Sequence, residues 1–184
     1  ADVKIEIDPK QGFQEYKRAL NMETGEASCQ WTDSGVLYRC DGFVSRADDV
    51  AVYRIRAQKP VISASFRAEF HRNPGTELPE ICREMEKKAK AEAVGCCLTY
   101  QSVNTDGLGY GMAVRITTNG TQKLQYGRIY VEEAGEIVLT IRSFIKDAKG
   151  DGIEKAGMFL AGLPESYEIL FSRHVSLHRE KYRG

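Results

Sequence analysis

The sequence predicts an α+β domain: a largely antiparallel sheet of hairpins and a three-stranded meander, with two main helices packed on it. An α/β/α sandwich is one arrangement of those parts. Three observations carry this. Residues 108–145 alternate large apolar with polar or small positions and are broken by Asn119-Gly120 and Ala134-Gly135, the period-2 pattern of strands joined by tight turns. Residues 50–56 and 62–70 repeat the alternation. Residues 79–93 and 151–163 instead place apolar residues at helical spacing.

In the first meander strand Leu108, Tyr110, Met112, Val114 and Ile116 share one face. Asn119-Gly120 suits a type I′ hairpin turn, because both residues tolerate positive φ. That turn would set Thr118 opposite Thr121, and Tyr130 and Arg128 opposite Gly109 and Gly111. A three-residue loop at Glu133-Ala134-Gly135, with Gly135 left-handed in a bulge, puts Ile137, Leu139 and Ile141 on the face of Ile129, Val131 and Met112.

From the start of the chain, residues 3–7 alternate as a strand and residues 8–12 turn. Phe13, Tyr16 and Leu20 fall at helical spacing, so 13–20 is expected as a short helix. Residues 27–31 and 36–40 flank Asp33-Ser34-Gly35. A two-residue turn at Ser34-Gly35 sets Cys29 opposite Cys40 with Cα atoms about 5.5 Å apart, within disulfide reach. The strands 50–56 and 62–70 follow, and His71-Arg72-Asn73-Pro74-Gly75 ends the second. Pro79 opens a helix that runs to Ala93 and closes at Gly95, with Leu78, Ile81, Cys82, Met85, Ala89 and Ala93 as its apolar stripe. In a strand over 95–103, Cys96 and Cys97 point to opposite faces. After the meander come the helix 151–163, stopped by Pro164, a last strand at 167–171 and a basic tail from Arg173 onward. No repeat or low-complexity linker intervenes, so residues 1–184 are expected as a single domain.

The chain is 42% hydrophobic and 28% charged, enough for a real core at this length. Lys plus Arg equals Asp plus Glu at 26 each, so no global field points to nucleic acid. No apolar run approaches the roughly 18 residues of a membrane helix. The start at Ala1-Asp2-Val3 fits signal-peptide removal as well as a chain cut from a longer one, and the cysteines lean the same way, to a periplasmic or secreted protein. Cys29 and Cys40 are expected to bond, and Cys82 to bond to Cys96 or Cys97, a loop of about 15 residues worth ~3 kcal/mol in the chain-entropy model. The alternative is buried reduced thiols.

Catalytic signatures are weak. His174 and His178 are four apart, as a helical metal pair would be, but Val175, Ser176 and Leu177 supply no glutamate between them. His71 or a carboxylate would have to complete the site. Gly107-Leu108-Gly109-Tyr110-Gly111 enters a strand rather than a helix N-terminus, so it is no phosphate cradle. Cys96-Cys97 has no neighbouring base to activate a nucleophile. No GxSxG, CxxC or P-loop occurs, and the carboxylates are too scattered to nominate a glycosidase pair. Arg173, Arg179, Lys181 and Arg183 with Tyr182 offer contacts to phosphates or to an acidic partner, or form a solvated tail. Asn119-Gly120-Thr121 matches the N-glycosylation acceptor, which the turn also explains. No catalytic, cofactor or metal residue is nominated.

In element order alone, with no shared motif, the chain resembles the α/β/α sandwich of the extrinsic photosystem II subunits; such a likeness implies little about function. Two functions are expected. The first is an exported, non-enzymatic binding protein acting on a protein partner as an inhibitor, immunity protein or envelope accessory factor. The second is a small hydrolase or metal-dependent enzyme using His174, His178 or a cysteine. The absent motifs favour the first.

Overall fold

Alternation, rather than helical periodicity, governs most of the chain. The computed structural model describes residues 1–72, 75, 77 and 79–183, Arg183 by its backbone alone. Among these residues the strands are β1 (Asp2–Ile7), β2 (Gln14–Asn21), β3 (Glu26–Asp33), β4 (Val36–Ser45), β5 (Val50–Ala57), β6 (Ile62–Glu69), β7 (Lys90–Val94), β8 (Cys97–Val103), β9 (Gly109–Thr118), β10 (Thr121–Gln125), β11 (Arg128–Ala134) and β12 (Glu136–Asp147). The helices are α1 (Glu80–Lys87), α2 (Gly152–Ala161) and α3 (Tyr167–Arg183). The strands form two sheets, a small one ordered β1-β6-β11-β10 and a large one ordered β2-β3-β4-β5-β12-β9-β8-β7.

The two sheets stack as a β-sandwich, which corrects the expected α+β fold with helices packed on one sheet, and the α/β/α sandwich with it. What covers the main apolar face is a second sheet. Strict alternation in β6 buries Ile62, Ala64, Phe66 and Ala68 in one cluster with Ile55, Ile116, Ile137 and Leu139 of the large sheet. Each fully buried isoleucine or leucine there contributes about 1.5–3 kcal/mol. A second cluster lies on the outer face of the large sheet, where Phe43, Val52 and Val138 meet Leu160, Tyr167 and Leu170 of α2 and α3. β12 is therefore covered on both faces.

Four expected elements differ. Where a helix is expected over 13–20 the chain forms β2 instead: Glu15 sits at positive φ in a bulge, after which Arg18 and Leu20 pair with Cys29 and Ala27. The helix expected over 79–93 stops at Lys87, and β7 pairs Ala91 with Tyr100 and Ala93 with Leu98. The strand expected at 167–171 and the basic tail are together α3, whose Arg173 and Arg179 reach Asp48 at 3.1 Å and Glu23 at 3.3 Å. Asn73, Pro74 and Leu78, and the Arg183 side chain, lie outside the described residues.

The meander is the fourth correction. β9 pairs with β8 and β12, while β10 pairs with β11 in the other sheet. Gly111 stands opposite Phe144 and Gly109 opposite Asp147, not opposite Arg128 and Tyr130. Asn119-Gly120 carries the chain from the large sheet to the small one, and Gly135 carries it back, with no positive φ at any of the three. Asn119 joins the two crossings: its Oδ1 accepts from the N–H groups of Gly135 and Glu136, both at 2.9 Å. A Cβ on Gly120 would lie 2.5 Å from the Glu132 carbonyl oxygen. The paired positive-φ turns that type I′ hairpins use are at Ser34-Gly35 and Tyr126-Gly127.

Candidate functional site

The large sheet has eight strands and the small one four, so part of the inner face stays uncovered. An open apolar trough of about 640 Å³ lies there. Val3 and Ile5 of β1 form one wall, Tyr16 and Arg18 of β2 the other, and Cys40 and Tyr53 are among its floor residues. Gly42 makes room on that floor, since a Cβ would stand 3.1 Å from the Tyr53 ring. A neighbouring recess of about 310 Å³ continues past Phe13 and Trp31, whose rings meet edge-on at 5.2 Å. Along the trough Tyr16 and Val44 are exposed, Val44 at 70%. Burial pushes the Cys40 thiol up to about 12, offset in part by a hydrogen bond from Tyr53. Burial and the same bond push the Tyr53 phenol up. At neutral pH both are protonated and Cys40 is a poor nucleophile. A trough with so few directed polar groups suits apolar side chains better than sugar hydroxyls.

On the opposite face of the large sheet a charged clasp holds α3. Asp41, fully buried, accepts from Arg39 Nε at 2.6 Å, Arg54 Nη2 at 3.3 Å and Arg56 Nη2 at 3.1 Å. Arg54 also pairs with Glu168 and lies 3.7 Å over the Tyr167 ring, and the Tyr167 hydroxyl donates to Glu26 at 2.7 Å. Arg115 donates to the carbonyls of Leu160, Leu163 and Pro164 between 2.6 and 3.0 Å, pinning the α2–α3 connection. None of these charges stood out in the sequence, where a lone Asp between arginines reads as solvated.

His174 and His178 do share a face of α3, with ring centroids 5.2 Å apart. Their Nε2–H groups donate to the carbonyls of Thr24 at 2.8 Å and Met22 at 3.0 Å, so they anchor α3 to the β2–β3 turn. His71 is elsewhere, on Asp2 at 2.9 Å. Among the described residues no group of three or more His, Cys, Asp or Glu is gathered for a metal. Gly111 in the glycine run is explained by packing: a Cβ would lie 2.1 Å from the Tyr100 carbonyl oxygen.

All five cysteines are free thiols, which corrects both expected bridges. Cys29 does lie opposite Cys40, but as a reduced pair under Tyr53. Cys82 cannot reach its expected partners. α1 touches β8 at Ser102, which donates to the Met85 carbonyl at 2.6 Å, five residues and about 17 Å along the strand from Cys97. Cys96 lies in the turn rather than in a strand, so it and Cys97 do not diverge: their Sγ atoms are 4.0 Å apart.

Comparison with protein families decides what this sandwich is. Residues 1–144 match the N-terminal domain of glycosyl hydrolase family 65. The chain belongs to this family. Among 25 similar solved chains is one from the human microbiome assigned as a kojibiose phosphorylase, 14% identical with a TM-score of 0.59. The likeness covers 98% of the present chain and 24% of that one, and at this identity it speaks for the fold alone. A comparison with curated proteins finds no match. The family 65 assignment overturns the expected non-enzymatic binder, whether inhibitor, immunity protein or envelope accessory factor: the sandwich matches a domain of a glycosyl hydrolase family. Of the groups named for the alternative, a small hydrolase or metal-dependent enzyme, His174 and His178 hold their Nε2–H groups on the carbonyls of Thr24 and Met22.

Proposed function

We propose that the chain is the N-terminal sandwich of a glycoside hydrolase or phosphorylase, and that it docks onto the catalytic part of that enzyme through the open trough. The family match over residues 1–144 carries the reading. The fold occupies 24% of the chain assigned as a kojibiose phosphorylase, which supports a role as one part of a longer enzyme. The electrostatics agree. Glycoside cleavage needs a carboxyl held protonated as general acid, hence with a raised pKa. Here the Ser65 hydroxyl lowers Glu6, backbone N–H groups lower Asp33 and Asp147, and the exposed Glu168 is lowered, against partial desolvation, by hydrogen bonds that include Arg54. Asp41 is saturated by three guanidiniums. The apolar trough beside the free edge of β1 suits an apolar surface of the catalytic part.

The test uses the native enzyme that carries this sequence, incubated with kojibiose with and without inorganic phosphate. Release of sugar 1-phosphate or free sugar supports the glycoside reading, and release of neither sinks it. A Tyr16→Asp/Val44→Asp variant of the same enzyme tests docking. Its melting midpoint and activity are expected to fall, and an unchanged midpoint would remove the trough from the interface.

A further inference from the structure

We infer that Cys96 and Cys97 form a two-sulfur half-site for a thiophilic divalent cation, Zn²⁺ in the first instance. The inference is independent of the glycoside reading. Successive side chains in an extended strand diverge, but here the chain reverses. Gly95, at φ +55°, and Cys96 make the turn between β7 and β8, and the two Sγ atoms come to 4.0 Å. Two Zn–S bonds of about 2.3 Å span ~3.8 Å at a tetrahedral angle and ~4.0 Å at a trigonal one. The sulfurs thus already stand at chelating distance.

The pair is held in place and open to solvent. Cys96 accepts a hydrogen bond from the Ile116 N–H at 2.8 Å through its carbonyl. Cys97 is laddered between Val94 and Arg115. Cys96 is exposed and Cys97 half-buried. Arg115, directly opposite Cys97, is 93% buried, and its Nε has no hydrogen-bond partner among the described residues. Burial and the neighbouring Cys96 push the Cys97 thiol up to about 11, and the Arg115 charge opposes them in part. On binding, each thiol gives one proton to solvent and each sulfur donates an electron pair to the cation, with no change of oxidation state. The remaining coordination positions stay open to water or an external ligand, so the site differs from a closed four-ligand structural zinc.

Cd²⁺ titration of the reduced protein, followed by the ultraviolet thiolate-to-metal band, tests this. One Cd²⁺ per chain is expected, competed by Zn²⁺. A Cys29→Ser/Cys40→Ser variant should bind like the parent, while Cys96→Ser and Cys97→Ser each lose at least tenfold in affinity. Should Cys97→Ser melt early, Cys97→Ala serves in its place. Bound Cd²⁺ should also slow alkylation of Cys96 by iodoacetamide, read by peptide mass mapping. Parent-like affinity in Cys96→Ser, or an alkylation rate at Cys96 indifferent to Cd²⁺, overturns the site.

Discussion

Asp41 shows how a single buried charge organises its surroundings. One fully buried carboxylate is shared by three arginines beneath α3, and removing it leaves the buried Arg54 only the more exposed Glu136 and Glu168 as counter-charges. Asp41→Ala is therefore expected to cost about 3–5 kcal/mol, measured by urea denaturation, whereas Lys123→Ala, which breaks only the exposed Lys123–Glu132 pair, costs less than about 1 kcal/mol. His174 gives a prediction with a sign. Burial lowers its pKa below the ordinary 6.5, helped by neighbouring His178 and opposed by the Thr24 carbonyl and Glu26. The unfolded chain then binds the proton more readily, so the contribution is complete above pH 6.5 and is lost as pH falls through the folded value. Unfolding free energy should drop as pH is lowered from about 6.5, and this slope should shrink in His174→Gln. At this scale legibility was uneven. The Cys29–Cys40 register could be read because Ser34-Gly35 dictates it. Asp41 could not, because sequence does not separate a solvated charge from a caged one.

Among the elements, the two crossings between sheets are the most exacting. Asn119→Ala leaves the N–H groups of Gly135 and Glu136 without their acceptor and is expected to cost about 1–3 kcal/mol. Gly120→Ala drives a methyl into the Glu132 carbonyl and should cost more than Gly127→Ala, which meets open space but strained φ. Chemical denaturation of the three variants checks the order. The sequence marked residues 119–120 and 134–135 correctly as breaks, yet Asn-Gly turn chemistry says nothing about whether the next strand joins the same sheet. Residues 13–20 and 89–93 imitate a helix for a related reason. Apolar spacings of three and four fit a helix, but a strand with one bulge, or an Ala89-Ala91-Ala93 alternation, fits the same letters. Pairing with partners far along the chain decided the matter, and a local window does not contain them.

Over the whole molecule, the helices beyond residue 150 act as a cover for Phe43, Val52 and Val138. A chain truncated after Gly150 should bind a hydrophobic dye and lose on the order of 10 °C or more in melting midpoint; an unchanged midpoint would show that α2 and α3 merely rest on the sheet. The place of β12 has a temporal consequence. It separates β5 from β9, so residues 14–57 and 90–118 belong to one sheet but share no backbone ladder until β12 is inserted. Ile137 meets Ile55, and at about 5–20 residues per second a ribosome needs roughly 4–16 s to make the stretch between them. During that interval the nascent chain carries an unsealed β5 margin. Late closure of this kind makes for slow folding and a period of exposure to wrong partners. In pulse-labelled hydrogen exchange during refolding, amides of the β3–β4 hairpin should gain protection before those of β12 that face β5.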